Sequence, residues 1–105
     1  MDEISVTDLA DDAVVLDVRE PAEFAAGHAT NAVHIPLGTV PVRVADLPGV
    51  EGPLPVICRS GGRSAQAAMW LENNGIAAVN VAGGMQDWHA KGKAMVAEGD
   101  TPTVL

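Results

Sequence analysis

Short apolar runs rich in β-branched residues recur along this chain, each followed by a stretch of helical character. That alternation restricts the fold more than any other feature. Residues 14–18, 32–35, 54–58 and 76–81 are too short for buried helices and read as strands covered on both faces. Residues 4–6 suit an initial edge strand. Between them, residues 21–26 open with Pro21, carry Glu23 near the N-terminal end of the dipole and stop at Gly27, the pattern of a short helix. Residues 39–47 read as a weak helix, because Pro41 and three valines sit in it. Residues 63–74 are the strongest helix, with an apolar face expected from Ala65, Ala68, Met69 and Leu71 and a stop at Asn74 and Gly75. Residues 85–91 form a short amphipathic helix between Gly83-Gly84 and Gly92. Strands alternating with helices imply βαβ units: an α/β fold with a mainly parallel sheet and helices on both faces. Ligands of such folds gather at the carboxyl ends of the strands.

The chain of 105 residues is the size of one domain, and residues 98–105 are expected to fray. Phe24, Trp70 and Trp88 are its only aromatics, so the core must be aliphatic. A single cysteine excludes a disulfide framework and multi-cysteine metal sites. Three scattered histidines, His28, His34 and His89, lack ligand spacing, so no metal and no cofactor are expected. No run approaches the ~18 apolar residues of a membrane span. The acidic start is unlike a secretory leader, which makes the cytoplasm the expected compartment. A net charge of −8 speaks against nucleic acid and anionic lipid as partners.

Against that acidic background, two of the six basic side chains fall in one short stretch, Cys58-Arg59-Ser60-Gly61-Gly62-Arg63-Ser64. Cys58 ends a strand and a helix begins near Arg63. The paired glycines let successive backbone N–H groups turn inward as an anion nest. The helix mouth adds its own free N–H groups. A lone cysteine at a strand end is most often a small core residue. Two arginines and a Gly-Gly pair at a helix mouth point instead to a stabilised thiolate that attacks anionic compounds and keeps a charged adduct.

Several motifs, in order, resemble those of the rhodanese family of sulfurtransferases. They are residues 16–24 with Gly27-His28, residues 32–37, the loop from Cys58 to Ser64, and Gly83-Gly84 followed by Trp88. The resemblance covers roughly residues 3–96. It implies a rhodanese-like fold, a mostly parallel five-stranded sheet flanked by helices. It also implies that Cys58 takes a sulfane sulfur from a small anionic donor such as thiosulfate and becomes a persulfide. The sulfur then passes to cyanide, a thiol or a sulfur-relay protein. On this reading the backbone from Arg59 through Ser60, Gly61, Gly62 and Arg63 to Ser64 cradles the outer sulfur, and Arg59 and Arg63 draw in the donor. The loop is one residue shorter than that of the related cysteine phosphatases and arsenate reductases, which favours sulfur transfer. A non-catalytic docking module is the competing role, although such modules often lack the loop cysteine. With no second thiol, no internal disulfide can resolve the persulfide.

Asp17 and Arg19 lie at a strand end beside the loop. They are expected to support it as part of an ion-pair network, Arg19 pairing with Glu23 or another carboxylate. His28 is expected just beyond a helix end, His34 on a strand and His89 on a helix, all outside the chemistry. Ser64 suits either a substrate contact or a helix start.

Overall fold

The computed structural model describes residues 2–99 and 101–105. Five strands form one sheet: β1 (Glu3–Ser5), β2 (Val15–Asp17), β4 (Ala32–His34), β5 (Leu54–Ile57) and β6 (Ala78–Ala82). The spatial order is β1-β6-β5-β2-β4, and every pairing in it is parallel. Two short strands absent from the sequence reading, β3 (His28–Ala29) and β7 (Met95–Val96), pair antiparallel outside it. Helices α1 (Pro21–Ala26), α2 (Gly62–Asn73) and α3 (Gly84–Ala90) complete the α/β architecture. Among the described residues no helix is long and apolar enough to cross a membrane.

Side-chain alternation along the strands divides the core in two. Leu16, Leu54 and Val56 face one side and pack with Ala67, Ala68 and Leu71 of α2. Val15, Ile57 and Val81 face the other and pack with Met85 and Trp88 of α3. Covering both faces explains why the strands read as unbroken apolar runs.

The buried face of α2 comprises Ser64, Ala67, Ala68 and Leu71, while Met69 is half exposed. Ala68 and Leu71 are buried as expected, but the face is rotated from the expected one: Met69 looks outward, Ala65 is only partly buried and Ala67 faces inward. Alanine is neutral between the two positions, so composition did not set the phase. The docking of Ser64 beneath the preceding loop is consistent with the observed one.

Residues 37–46 also differ from expectation. They form two 3-10 turns, Leu37–Val42 and Val44–Asp46, rather than an α-helix. Pro41 has no N–H and its valine neighbours are stiff, which favours the tighter bonds seen at Thr39 N to Pro36 O (2.9 Å) and Arg43 N to Val40 O (3.1 Å). Within residues 98–105, the stretch expected to fray, Thr103 and Val104 lie against the body of the fold. The Thr103 amide donates to Ala26 O at 2.9 Å, and Val104 packs on the α3 side of the core. Gly27 makes this approach possible, since a Cβ there would meet the Thr103 backbone.

Candidate active site

Cys58 follows β5 directly, and its residue is only 1 % exposed. The chain then turns through Arg59, Ser60 and Gly61 into α2. Gly61 makes the turn at φ +114°, a left-handed conformation that favours glycine. That geometry aims the Gly61 N–H at Cys58 Sγ, 3.1 Å away. The Ser64 hydroxyl stands 3.2 Å from the same sulfur. In the first turn of α2, Ala65 N already has a helical acceptor in Gly61 O and the Ser64 N–H is turned to the Cys58 sulfur, which leaves the N–H groups of Gly62 and Arg63 at the helix mouth without an acceptor inside the helix. Burial pushes the Cys58 thiol up. Hydrogen bonds from the Ser64 hydroxyl and from the backbone N–H groups of Ser64, Gly61 and Ser60 outweigh it, and the net shift is downward.

The loop is held from below by α3. Met85 N donates to Cys58 O at 2.8 Å and Gln86 N to Arg59 O at 3.0 Å. The first amides of one helix thus cap the carbonyls of the loop that precedes another. This close approach explains the Gly-Gly pair at the start of α3. Gly84 sits at φ +54°, and a Cβ there would collide with Cys58 O and lie 2.8 Å from Arg59 C and O. Gly84→Ala is expected to cost about 2–4 kcal/mol in urea unfolding, since strain and backbone displacement add. Gly62→Ala, where a Cβ meets nothing within 4 Å, serves as the control and should stay within about 1 kcal/mol.

Charge pairing around the loop refines the sequence reading. Arg19 pairs with Asp17, not Glu23: Nη2 lies 2.8 Å from Oδ2 and Nε 2.9 Å from Oδ1, with both side chains wholly buried. Arg19 Nη2 also donates to Gly27 O at 2.8 Å, tying the end of α1 to β2. Glu23 instead binds Arg63 through two bonds, of 2.6 and 2.9 Å. The Arg63 guanidinium holds the Glu23 carboxyl at about 2, well below its usual range, and the carboxylate raises Arg63 in turn. Arg63 therefore meets the site already paired. Arg59 is exposed, and its Nε donates to Leu105 O at 2.7 Å.

The histidines lie where expected. His28 Nδ1 is 2.8 Å from Phe24 O at the end of α1, and His34 Nε2 is 2.7 Å from Arg19 O. Their rings sandwich Phe24 at centroid distances of 3.7 and 4.4 Å, while His89 is exposed on α3. Ser60 and Gly62 are exposed on the loop. An apolar groove of about 520 Å³, lined in part by Leu37, Val40, Pro41, Gly62, Met69 and Trp70, opens beside it.

Sequence reasoning missed Asn80. Its amide accepts from Ser64 Oγ at 2.6 Å and donates to Gly61 O at 3.1 Å. The signal was present as one polar residue inside an apolar strand run, since a buried amide needs partners.

Known proteins resemble this chain in sequence and in fold. Residues 5–91 match the model of the rhodanese-like domain. A protein of Allochromatium vinosum named sulfurtransferase is 35% identical over 88 residues, covering 83% of this chain and 81% of that one. The thiosulfate sulfurtransferase GlpE of Pseudomonas putida is 41% identical over 91 residues, covering 84% and 80%. Among solved structures, a rhodanese-related protein from Thermoplasma volcanium superposes with a TM-score of 0.81 at 33% identity, covering 91% of this chain and 98% of that one.

Proposed function

The chain belongs to the rhodanese-like family, and from that premise we propose that it is a sulfurtransferase whose sulfur bearer is Cys58. The observation that carries the reading is the cysteine sulfur held between the Gly61 N–H and the Ser64 hydroxyl, at the mouth of a helix whose first amides are free. These donors favour the thiolate, which is the nucleophilic form.

The reaction runs in two displacements. The Cys58 thiolate attacks the outer sulfur of a thiosulfate dianion. A sulfur–sulfur bond forms, the bond to the sulfonate group breaks, and sulfite leaves with the electron pair. The persulfide anion then carries its charge on the terminal sulfur, within reach of the free N–H groups of the loop. In the second step cyanide or a thiolate attacks that terminal sulfur. Thiocyanate or a new persulfide departs and the Cys58 thiolate returns. Neither step needs a metal, an oxidant or a second cysteine.

Arg59 supplies charge to draw in the anionic donor. Arg63, being paired with Glu23, serves chiefly to fix the start of α2 against α1. The cellular acceptor on this reading is a small thiol or a sulfur-relay protein.

Intact-mass analysis after incubation with thiosulfate tests the proposal. The protein should gain the mass of one sulfur atom, and cyanide should remove it with release of thiocyanate. Folded, reduced protein that gains nothing from thiosulfate or from a small persulfide would overturn it.

A further inference from the structure

Beneath the loop, one buried side-chain amide has partners on both its nitrogen and its oxygen. Asn80 is the only polar residue of β6 and is 1 % exposed. Its Nδ2 donates to Gly61 O at 3.1 Å and to Glu3 Oε2 at 2.8 Å. Glu3 is its register partner across the β1–β6 pairing. Two oxygen acceptors on Nδ2 fix the orientation of the amide, because a flip would set Oδ1 against both of them. Oδ1 is thereby turned toward Ser64 Oγ, 2.6 Å away. The hydroxyl has one proton and two acceptors in reach: the amide oxygen, and Cys58 Sγ at 3.2 Å.

We propose that Asn80 is a positioning residue that acts through Ser64 by giving its hydroxyl proton a second resting place. The inference rests on the sulfurtransferase reading for the loaded state alone. While Cys58 is a thiolate, the charge-assisted bond draws the Ser64 proton to the sulfur. Once a second sulfur is attached, Sγ is neutral and a weak acceptor, the charge lies on the outer sulfur, and the proton turns to the amide oxygen. The hydroxyl thus follows the charge, and neither state leaves it without an acceptor. Without the amide oxygen, the proton would stay on Sγ in both states and the thiolate would be favoured over the persulfide. The charged groups around this centre are Arg59 and Arg63 of the loop, Glu23 of α1 on Arg63, and Glu3 of β1 on Asn80 itself.

The test is the pH dependence of iodoacetamide alkylation, which needs no sulfur donor. It uses the wild type, Asn80→Val, Ser64→Ala and the double variant, each checked for folding. Removing the amide oxygen removes one hydrogen bond that competes with the sulfur, a contribution of about 1 kcal/mol. Asn80→Val should therefore raise the thiolate fraction at a given pH by about three- to tenfold, moving the alkylation midpoint down. Ser64→Ala should move it up. In the Ser64→Ala background Asn80→Val should do nothing. A midpoint that moves up, or that moves equally with and without Ser64, would overturn the proposal. Glu3→Ala, on the exposed edge strand, tests the point without disturbing the core. It weakens the polarisation of the amide and should move the midpoint down by a smaller amount that shrinks when Ser64 is absent. An equal shift in both backgrounds reports only the lost carboxylate charge and counts against the proposal. At a fixed ratio of thiosulfate to sulfite, Asn80→Val should lower the loaded fraction in the same proportion. Failure of the wild type to load sulfur, with the Ser64-dependent shift intact, would defeat the sulfurtransferase reading and leave the proton assignment of the thiolate standing.

Discussion

Formation of thiocyanate from thiosulfate and cyanide is expected to fall by about 10⁴-fold or more when Cys58 is replaced by serine, leaving the uncatalysed background. The serine oxygen would occupy the same cradle, with the Gly61 N–H and the Ser64 hydroxyl still in place. Those donors lower a thiol, whose ordinary value of about 8.5 is within reach of neutrality, and so favour the thiolate. A serine hydroxyl starts many units higher, and the same hydrogen bonds leave it protonated and unreactive toward sulfur. The substitution is nearly isosteric, so urea unfolding should move by no more than about 1–2 kcal/mol. Loss of turnover with that small change in stability would separate the chemistry from the fold. Turnover within tenfold of wild type would mean that sulfur moves through this site without a covalent bearer.

The second large effect concerns stability. Arg19→Met should cost about 3–5 kcal/mol, because it leaves the Asp17 carboxylate buried with its principal partner gone. Asp17 is wholly buried and receives donors from Arg19 N, Nε and Nη2. The loss extends beyond the pair, since Arg19 Nη2 also holds Gly27 O at the end of α1. That helix presents Glu23 to Arg63 and so braces the start of α2. The pair itself is not an optimised source of stability. Arg19 Nη1 is buried with no hydrogen-bond partner among the described residues, and two desolvated charges cost much of what their attraction returns. The double variant Asp17→Leu/Arg19→Met should therefore unfold at higher urea than either single variant. A cost below about 1 kcal/mol for Arg19→Met alone would show that the pair does not organise this end of the sheet.

The loop was legible in the sequence because its chemistry is contiguous. Cys58, the glycines and Ser64 fall within seven consecutive residues, and Gly61 at positive φ is a local backbone requirement. The five parallel strands were legible because strands buried on both faces must read as apolar runs. Other features were not. Pro21 and Gly27 marked the ends of α1, but nothing local said that Glu23 would meet a side chain 40 residues away. The face of α2 was misread in part, at Ala65, Ala67 and Met69, because alanines stand on both sides of that helix, and its rotation depends on what the neighbouring sheet and loop offer. Gly84 was recognisable as part of a motif. Its reason, the carbonyls of Cys58 and Arg59 pressed against its backbone, lies in another segment of the chain.

By itself, then, the sequence determined the strand and helix alternation, the inward-turned amides after Cys58 and the local excess of positive charge. All of these follow from backbone preferences and near neighbours. Only the tertiary structure decided which charges neutralise one another, and hence that Arg63 braces the loop while Arg59 remains exposed beside it. It alone brought Asn80 and Glu3 beneath the sulfur. Hydrogen bonds and ion pairs depend on distance through space, and residues far apart in the chain acquire such distances only once the sheet has assembled.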